Sequence, residues 1–189
     1  MTGLAVTVYA GSSLGNDPRF AKETELFARD LVAAGAEIVY GGGSVGLMGV
    51  LADTVLAAGG RVTGVIPQSL VDAEVAHLSL TELKVVGSMH ERKNEMARLA
   101  DCFVALPGGL GTVEELFEAW AWLILGHHGK PVALLNTAGY WDPLLTAVQA
   151  MARAGFIGAE EATSLVAVDS AEELLRLVDS WTPPAPRWA

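Results

Sequence analysis

Cysteine and positive charge are what this chain has least of. Among 189 residues there is one cysteine, and 12 lysines and arginines stand against 22 acids. A lone thiol permits no internal disulfide, which points to a reducing compartment, and Cys102 lies inside the apolar run Cys102-Phe103-Val104-Ala105-Leu106, where it reads as a small buried hydrophobe. A formal net charge of −10 leaves no basic face for a phosphodiester backbone, so no nucleic-acid partner is expected. Apolar runs all fall short of a membrane span, and no basic leader precedes one at the N-terminus. No membrane partner is expected, and the cytoplasm is the expected location. His90 and the pair His127-His128 have no companions at ligand spacing, so no metal is expected either.

The chain is rich instead in apolar residues, at 51%, and in glycine, with 21 residues, enough for a single domain with a sizeable core. That domain is read as residues 1–182, followed by a loose tail at 183–189 that carries three prolines. Short apolar runs at 4–9, 37–40, 61–66, 83–86, 102–106, 132–135 and 165–168 read as strands, several of them apolar throughout, as in a parallel sheet buried on both faces. Between them, Asp17-Pro18 and Asp142-Pro143 look like N-caps followed by proline at the first helical position. Ser88-Met89-His90-Glu91, Thr112-Val113-Glu114-Glu115 and Ser170-Ala171-Glu172-Glu173 have capping-box spacing, and Gly35, Gly59 and Gly155 suit helix ends. The alternation predicts an α/β fold, a Rossmann-like doubly wound parallel sheet with helices on both faces.

Ligands in such sheets bind beyond the carboxyl ends of the strands, and three glycine-bearing turns fall there. They are Ala10-Gly11-Ser12-Ser13, Gly41-Gly42-Gly43-Ser44-Val45-Gly46-Leu47-Met48-Gly49, and Leu106-Pro107-Gly108-Gly109-Leu110-Gly111-Thr112-Val113-Glu114-Glu115. In the last, a strand ends, the chain turns on glycines and a helix opens with Thr112, an arrangement whose free N–H groups and helix dipole favour a phosphate. Glu115 sits one turn farther in, where a carboxylate can act on the rest of a phosphorylated ligand. Gly41, Gly43 and Gly46 have G-x-G-x-x-G spacing but follow the second strand, and the next strand ends Val65-Ile66-Pro67-Gln68 without a ribose-binding acid, so NAD is not expected. The competing reading of these glycines is tight turns with close helix packing.

Ser88-Met89-His90-Glu91-Arg92-Lys93 places two adjacent cations in the first turn of a helix, against its dipole, in a chain with four lysines and eight arginines. Arg92 is the better ligand contact, because its planar fork can hold a phosphate, a ribose hydroxyl or a carboxylate. The competing reading makes both cations solvated surface charges. Glu91 reads as the capping partner of Ser88.

Pro107-Gly108-Gly109-Leu110-Gly111-Thr112-Val113-Glu114-Glu115, with Met89-His90-Glu91-Arg92-Lys93 upstream, resembles the LONELY GUY family of cytokinin riboside 5′-monophosphate phosphoribohydrolases. The resemblance implies a homodimeric Rossmann-like enzyme, without a cofactor, that splits a nucleoside 5′-monophosphate into free base and ribose 5-phosphate. It makes Arg92 and Glu115 the catalytic pair and places Lys93, Gly108, Gly109, Gly111, Thr112 and Glu114 around the nucleotide, with Glu74 as a further substrate contact. Gly11, Ser12, Gly43 and Ser44 join the candidate site from the other two turns. Plant members usually have threonine where this chain has Ala121, so the preferred base, adenine of AMP or a modified cytokinin base, stays open.

The residues accord with that chemistry: breaking a ribosyl C–N bond develops oxocarbenium character, which a carboxylate such as Glu115 stabilises. Members of the family are often labelled lysine decarboxylases, but that reaction needs an electron sink, usually pyridoxal on a lysine, and none of Lys22, Lys84, Lys93 or Lys130 has a recognisable cofactor context. A different class of function, a non-catalytic nucleotide or molybdenum-cofactor carrier, shares the fold and the glycine turns. Thr112 and Glu115 also have capping-box spacing, which offers Glu115 a purely local role. Residues 115–126 are apolar nearly all round, with Trp120 and Trp122 pointing in different directions, which predicts a homodimer through this helix.

Overall fold

A computed structural model describes residues 3–73 and 75–188. Glu74 lies outside the described residues. All seven expected strands form, four of them with ends moved by one residue: β1 (Ala5–Tyr9), β2 (Glu37–Tyr40), β3 (Val62–Pro67), β4 (Glu82–Val86), β5 (Cys102–Ala105), β6 (Val132–Leu135) and β7 (Leu165–Val168). They build one sheet in the order β4-β3-β2-β1-β5-β6-β7, with every pairing parallel. The order reverses between β1 and β5, which makes their carboxyl ends the switch point of the sheet.

Two cores result. On one face α1 (Pro18–Ala33), α2 (Gly46–Ala57) and α8 (Ala171–Ser180) cover Val6, Val8, Val104 and Leu106. On the other, α4 (Met89–Leu99), α5 (Leu110–Ile124) and α6 (Asp142–Arg153) cover Tyr9, Phe103 and Ala105. The period-2 alternation along β5 thus sends Cys102, Val104 and Leu106 to the first core and Phe103 and Ala105 to the second. Each fully buried Val or Leu contributes about 1.5–3 kcal/mol relative to exposure. Burial pushes the Cys102 thiol up to about 12, so it is inert packing. The short helices α3 (Gln68–Asp72) and α7 (Ala159–Thr163) and a 3-10 turn at Thr137–Gly139 complete the connections.

The helix punctuation is mostly as read. Asp17 caps α1 by accepting the Arg19 N–H at 2.9 Å, and Gly35, Gly59 and Gly155 adopt φ of +79°, +76° and +78° at helix ends. Ser88 and Ser170 cap α4 and α8, each accepting the N–H three residues on at 3.2 Å. The returning carboxylates of Glu91 and Glu173 reach one residue farther back than the box predicts, to the N–H groups of Gly87 and Asp169.

Two caps are corrected. Asp142 is already inside α6 and caps nothing, because Asn136 takes its carboxylate through Nδ2 and accepts the Trp141 N–H through Oδ1, both at 2.8 Å. The phosphate-type helix begins at Leu110 and not at Thr112, with Gly109 in the cap position. Thr112 is the third helical residue and is buried against Gly108, where an added Cβ would overlap Thr112 Oγ1. The segment after α8 has no helix or strand, yet Arg187 donates from its backbone to Ile124 and from its guanidinium to Phe156, both at 3.0 Å.

Candidate functional site

The three glycine turns meet at the switch point. The Gly11 N–H donates to Pro107 O at 3.2 Å, and the Met48 N–H donates to Gly11 O at 3.3 Å, which stitches the turns after β1, β2 and β5 together. Between α1 and the turns lies a cleft of about 230 Å³ lined by Gly11, Ser12, Gly108, Gly109, Phe20 and Tyr140. The Tyr140 hydroxyl donates to Gly108 O at 2.6 Å and fixes one wall. In α5 the first N–H to bond backward is that of Val113, to Gly109 O at 3.1 Å. The N–H groups of Leu110, Gly111 and Thr112 precede it and have no intrahelical acceptor, as an anion site requires.

Gly43 and Ser44 are turned to a different neighbour. Gly43 forms a β-bridge with Ala76, Ser44 donates through both N–H and Oγ to Val75 O, and the His77 N–H donates to Gly42 O at 2.9 Å. His77 is held in turn by Asp53 Oδ1, 2.9 Å from its Nε2. This strap over the second glycine turn had no local signature in the sequence.

Arg92 and Lys93, on the first turn of α4, are 8% and 9% exposed, so neither is a solvated surface charge. Lys93 Nζ lies 2.6 Å from Glu114 Oε1 and 3.0 Å from Glu118 Oε2. Burial works against its charge, but the two carboxylates win and its pKa is raised. Arg92 Nη2 stands 3.4 Å from Glu115 Oε1, Nη1 reaches only Met89 Sδ at 3.7 Å, and Nε is buried with no partner among the described residues. The guanidinium fits there because residue 41 has no side chain: a Cβ on Gly41 would overlap Arg92 Nη2. Glu115 is equally buried, and desolvation lifts its pKa above the usual carboxylate range, with Arg92 pulling it partly back. Since Thr112 is not a cap, Glu115 has no capping role. It belongs to the second turn of α5, facing α4.

The cleft and the ion pair lie on different faces. The cleft borrows Phe20 of α1 and Leu47 of α2, whereas Arg92 and Glu115 come from α4 and α5 and do not line it. The pair holds the buried charge, and the glycine turns lie between it and the cleft. Among the described residues no cluster of ligands could hold a metal ion. On α5, Trp120 turns inward and donates to Ser164 Oγ at 3.0 Å, while Leu110, Ala121 and Leu125 are exposed and Phe117 and Trp122 half-buried.

A family model described as "Possible lysine decarboxylase" matches residues 48–178. A probable cytokinin riboside 5′-monophosphate phosphoribohydrolase of Oryza sativa subsp. japonica is 49% identical over 177 residues, which cover 94% of this chain and 79% of that protein. A cytokinin riboside 5′-monophosphate phosphoribohydrolase of Arabidopsis thaliana is 44% identical over 178 residues, 94% of this chain and 78% of that one. The chain belongs to the LONELY GUY family. Among solved structures, the molybdenum cofactor binding protein of Rippkaea orientalis superposes with a TM-score of 0.70 at 22% identity, over 95% of this chain and 98% of that one. The molybdenum cofactor carrier protein of Chlamydomonas reinhardtii does so with 0.67 at 21%, over 94% and 99%. At that identity the likeness is one of fold alone.

The decarboxylase description does not suit the lysines of this LONELY GUY chain. Lys93 is saturated by two carboxylates, Lys84 lies between Glu82 and Glu95, and Lys130 Nζ donates to Ala97 O at 2.7 Å. A Schiff-base lysine must be a free amine beside a phosphate cradle, and none of these three is.

Proposed function

We propose that the protein hydrolyses the N-glycosidic bond of a nucleoside 5′-monophosphate, giving free base and ribose 5-phosphate. The observation that carries this reading is the buried Arg92–Glu115 pair, held at 3.4 Å with Arg92 Nε unpaired, one helical turn from an anion-binding helix start. Phosphate on the N–H groups of Leu110, Gly111 and Thr112 sets the sugar level with Glu115, since a helical turn rises about 5.4 Å. Water oxygen then attacks C1′ and gives its proton to Glu115, while the C1′–N bond breaks with its electron pair leaving on the base, which takes up a proton from solvent as Glu115 releases its own. The carboxylate faces the oxocarbenium charge of that transition state, and its raised pKa makes it a stronger proton acceptor than an ordinary glutamate. The Nη groups of Arg92 orient the ribose hydroxyls. Binding energy from the remote phosphate positions the reacting bond.

The substrate class is an AMP-like nucleotide whose base is adenine or an isoprenoid cytokinin base. The working form is a homodimer that covers the outer face of α5 with the same face of a second copy, hiding Leu110, Phe117, Ala121, Trp122 and Leu125. A lone buried thiol at Cys102 suits work in the cytoplasm.

Incubation with AMP and chromatography of the products tests the activity. Free adenine with ribose 5-phosphate is expected, with adenosine cleaved far more slowly because it has no phosphate to anchor. A carrier would return AMP unchanged, and equal turnover of adenosine and AMP would remove the phosphate site from the reading.

A further inference from the structure

Tyr9 ends β1 at the switch point, and the proposed chemistry does not use it. Its ring is fixed: it is 4% exposed, it stacks on Phe103 with centroids 6.1 Å apart and planes 14° from parallel, and its carbonyl accepts the Leu106 N–H at 2.8 Å. A buried tyrosine normally gives its hydroxyl a hydrogen-bond partner. This one has none among the described residues. Nor is its oxygen sealed off, for the sealed partnerless side-chain atoms among the described residues are Arg92 Nε and Trp141 Nε1. Its ring packs in one core with Met96 of α4 and with Leu116 and Ala119 of α5, the two helices that carry Arg92 and Glu115, so the hydroxyl belongs to the face of that pair. Burial first, and Glu115 next, push its pKa well above the ordinary phenol value, so it remains an O–H donor throughout the working pH range.

We propose that the Tyr9 hydroxyl recognises the sugar of the bound nucleotide, donating to one ribose hydroxyl beside Glu115. This rests on the hydrolase reading above. The sugar is favoured over the other parts of the ligand, because the proposed phosphate site is the first turn of α5, whereas Tyr9 packs with Leu116 and Ala119 farther along that helix. A rigid ring carrying one open donor is suited to choosing between a hydroxyl and a hydrogen, since a site built around such a bond leaves it unpaired when the hydroxyl is missing.

The test uses Tyr9→Phe, which keeps the ring, its stacking and the fold, and compares AMP, 2′-deoxy-AMP and 3′-deoxy-AMP. In the wild type, kcat/KM should fall at least tenfold when the contacted hydroxyl is removed. In Tyr9→Phe, kcat/KM for AMP should fall by a similar factor with an unchanged Tm, and the preference for that hydroxyl should vanish. Calorimetric binding of the three nucleotides should show the same pattern, which keeps the contact testable apart from turnover. A Tyr9→Phe enzyme equal to the wild type on AMP, or one that is weakened yet keeps both sugar preferences, would overturn the proposal. A wild type that binds AMP with the sugar preference but releases no adenine would instead overturn the hydrolase reading.

Discussion

Arg92 and Lys93 are neighbours on α4, Glu115 and Glu114 are neighbours on α5, and the two ion pairs they make differ in kind. Lys93 meets two carboxylates at 2.6 and 3.0 Å, one of them, Glu114, with half its side chain in water. Arg92 meets one carboxylate at 3.4 Å, in a place where both partners are about nine-tenths buried, and its Nε goes unbonded. A buried polar group without a partner costs roughly 1–3 kcal/mol. The Lys93 cluster ties α4 to α5 and satisfies itself, whereas the Arg92 pair leaves donors unused among the described residues. Adjacent positions on the same two helices thus separate a saturated strut from a buried pair with donors to spare, the pair proposed to be reactive.

The largest effect should come from removing the charge on the reactive side. Glu115→Gln keeps shape and volume, so fold and AMP binding should persist while adenine release falls roughly a hundredfold or more, the usual consequence of losing a preorganised electrostatic contact. The wild-type rate should rise with pH as Glu115 loses its proton, and because burial raises its pKa, that acid limb should lie above the ordinary carboxylate range. A pH–rate profile of kcat/KM reads it directly. Lys93 should add nothing in that window: its raised pKa keeps it charged through neutral pH, and the stability it contributes is lost only as pH rises from about 10.4, the unfolded value, through its folded one. Substantial turnover by the glutamine variant would dissolve the contrast between the two pairs.

Gly41→Ala should come next. The new Cβ would overlap Arg92 Nη2, the far end of a flexible side chain, so the guanidinium can swing away at little cost to the fold. Activity should drop at least tenfold, with Tm moved by a degree or two, while the Lys93 cluster stays intact. A large fall in Tm with normal kcat would mean that Gly41 serves packing and not the placement of Arg92.

Lys93→Met should invert the pattern. It leaves Glu114 and Glu118 unpaired, but both are partly solvated, at 51% and 25% side-chain exposure, so the loss of stability should be on the order of 1 kcal/mol after screening. Adenine release should fall less than for Glu115→Gln, and through KM more than kcat, because the lysine steadies the helix whose start is the proposed phosphate site. Thermal unfolding and steady-state kinetics on one preparation check both halves.

What the sequence made legible follows the range of the forces involved. The strands declare themselves through apolar runs such as Val132-Ala133-Leu134-Leu135, and the glycine turn into α5 through consecutive glycines, because both signals are local. Thr112 misled as a cap because its spacing to Glu115 imitates a capping box, although the helix starts two residues earlier, at Leu110, with Gly109 in the cap position. The fit of Gly41 under Arg92, the strap from Val75 to His77 and the open hydroxyl of Tyr9 join residues far apart in sequence, and no local pattern encodes them. The residue types of the buried pair, Arg92 and Glu115, were readable. That one pair is saturated and the other is not is a matter of tertiary distances.

The smallest effect should come from an ion pair outside the contrast altogether. Glu95 is bonded by Arg98 at 2.7 and 2.8 Å and approached by Lys84 at 3.2 Å, and chiefly the Arg98 guanidinium holds its carboxyl down at about 2. A depressed carboxylate contributes stability that is fully present above its unfolded pKa, near 4.3, and is lost as pH falls through the folded value, so the window lies between about pH 4.3 and pH 2. Arg98 has 63% of its side chain in solvent, and water and salt screen such a pair to about 1 kcal/mol or less. Glu95→Ala should therefore lower Tm slightly at pH 7, lower it hardly at all near pH 2, and leave adenine release unchanged. A kinetic defect in this variant would show that charge pairs on α4 reach the reactive site irrespective of burial, and saturation would no longer distinguish Lys93 from Arg92.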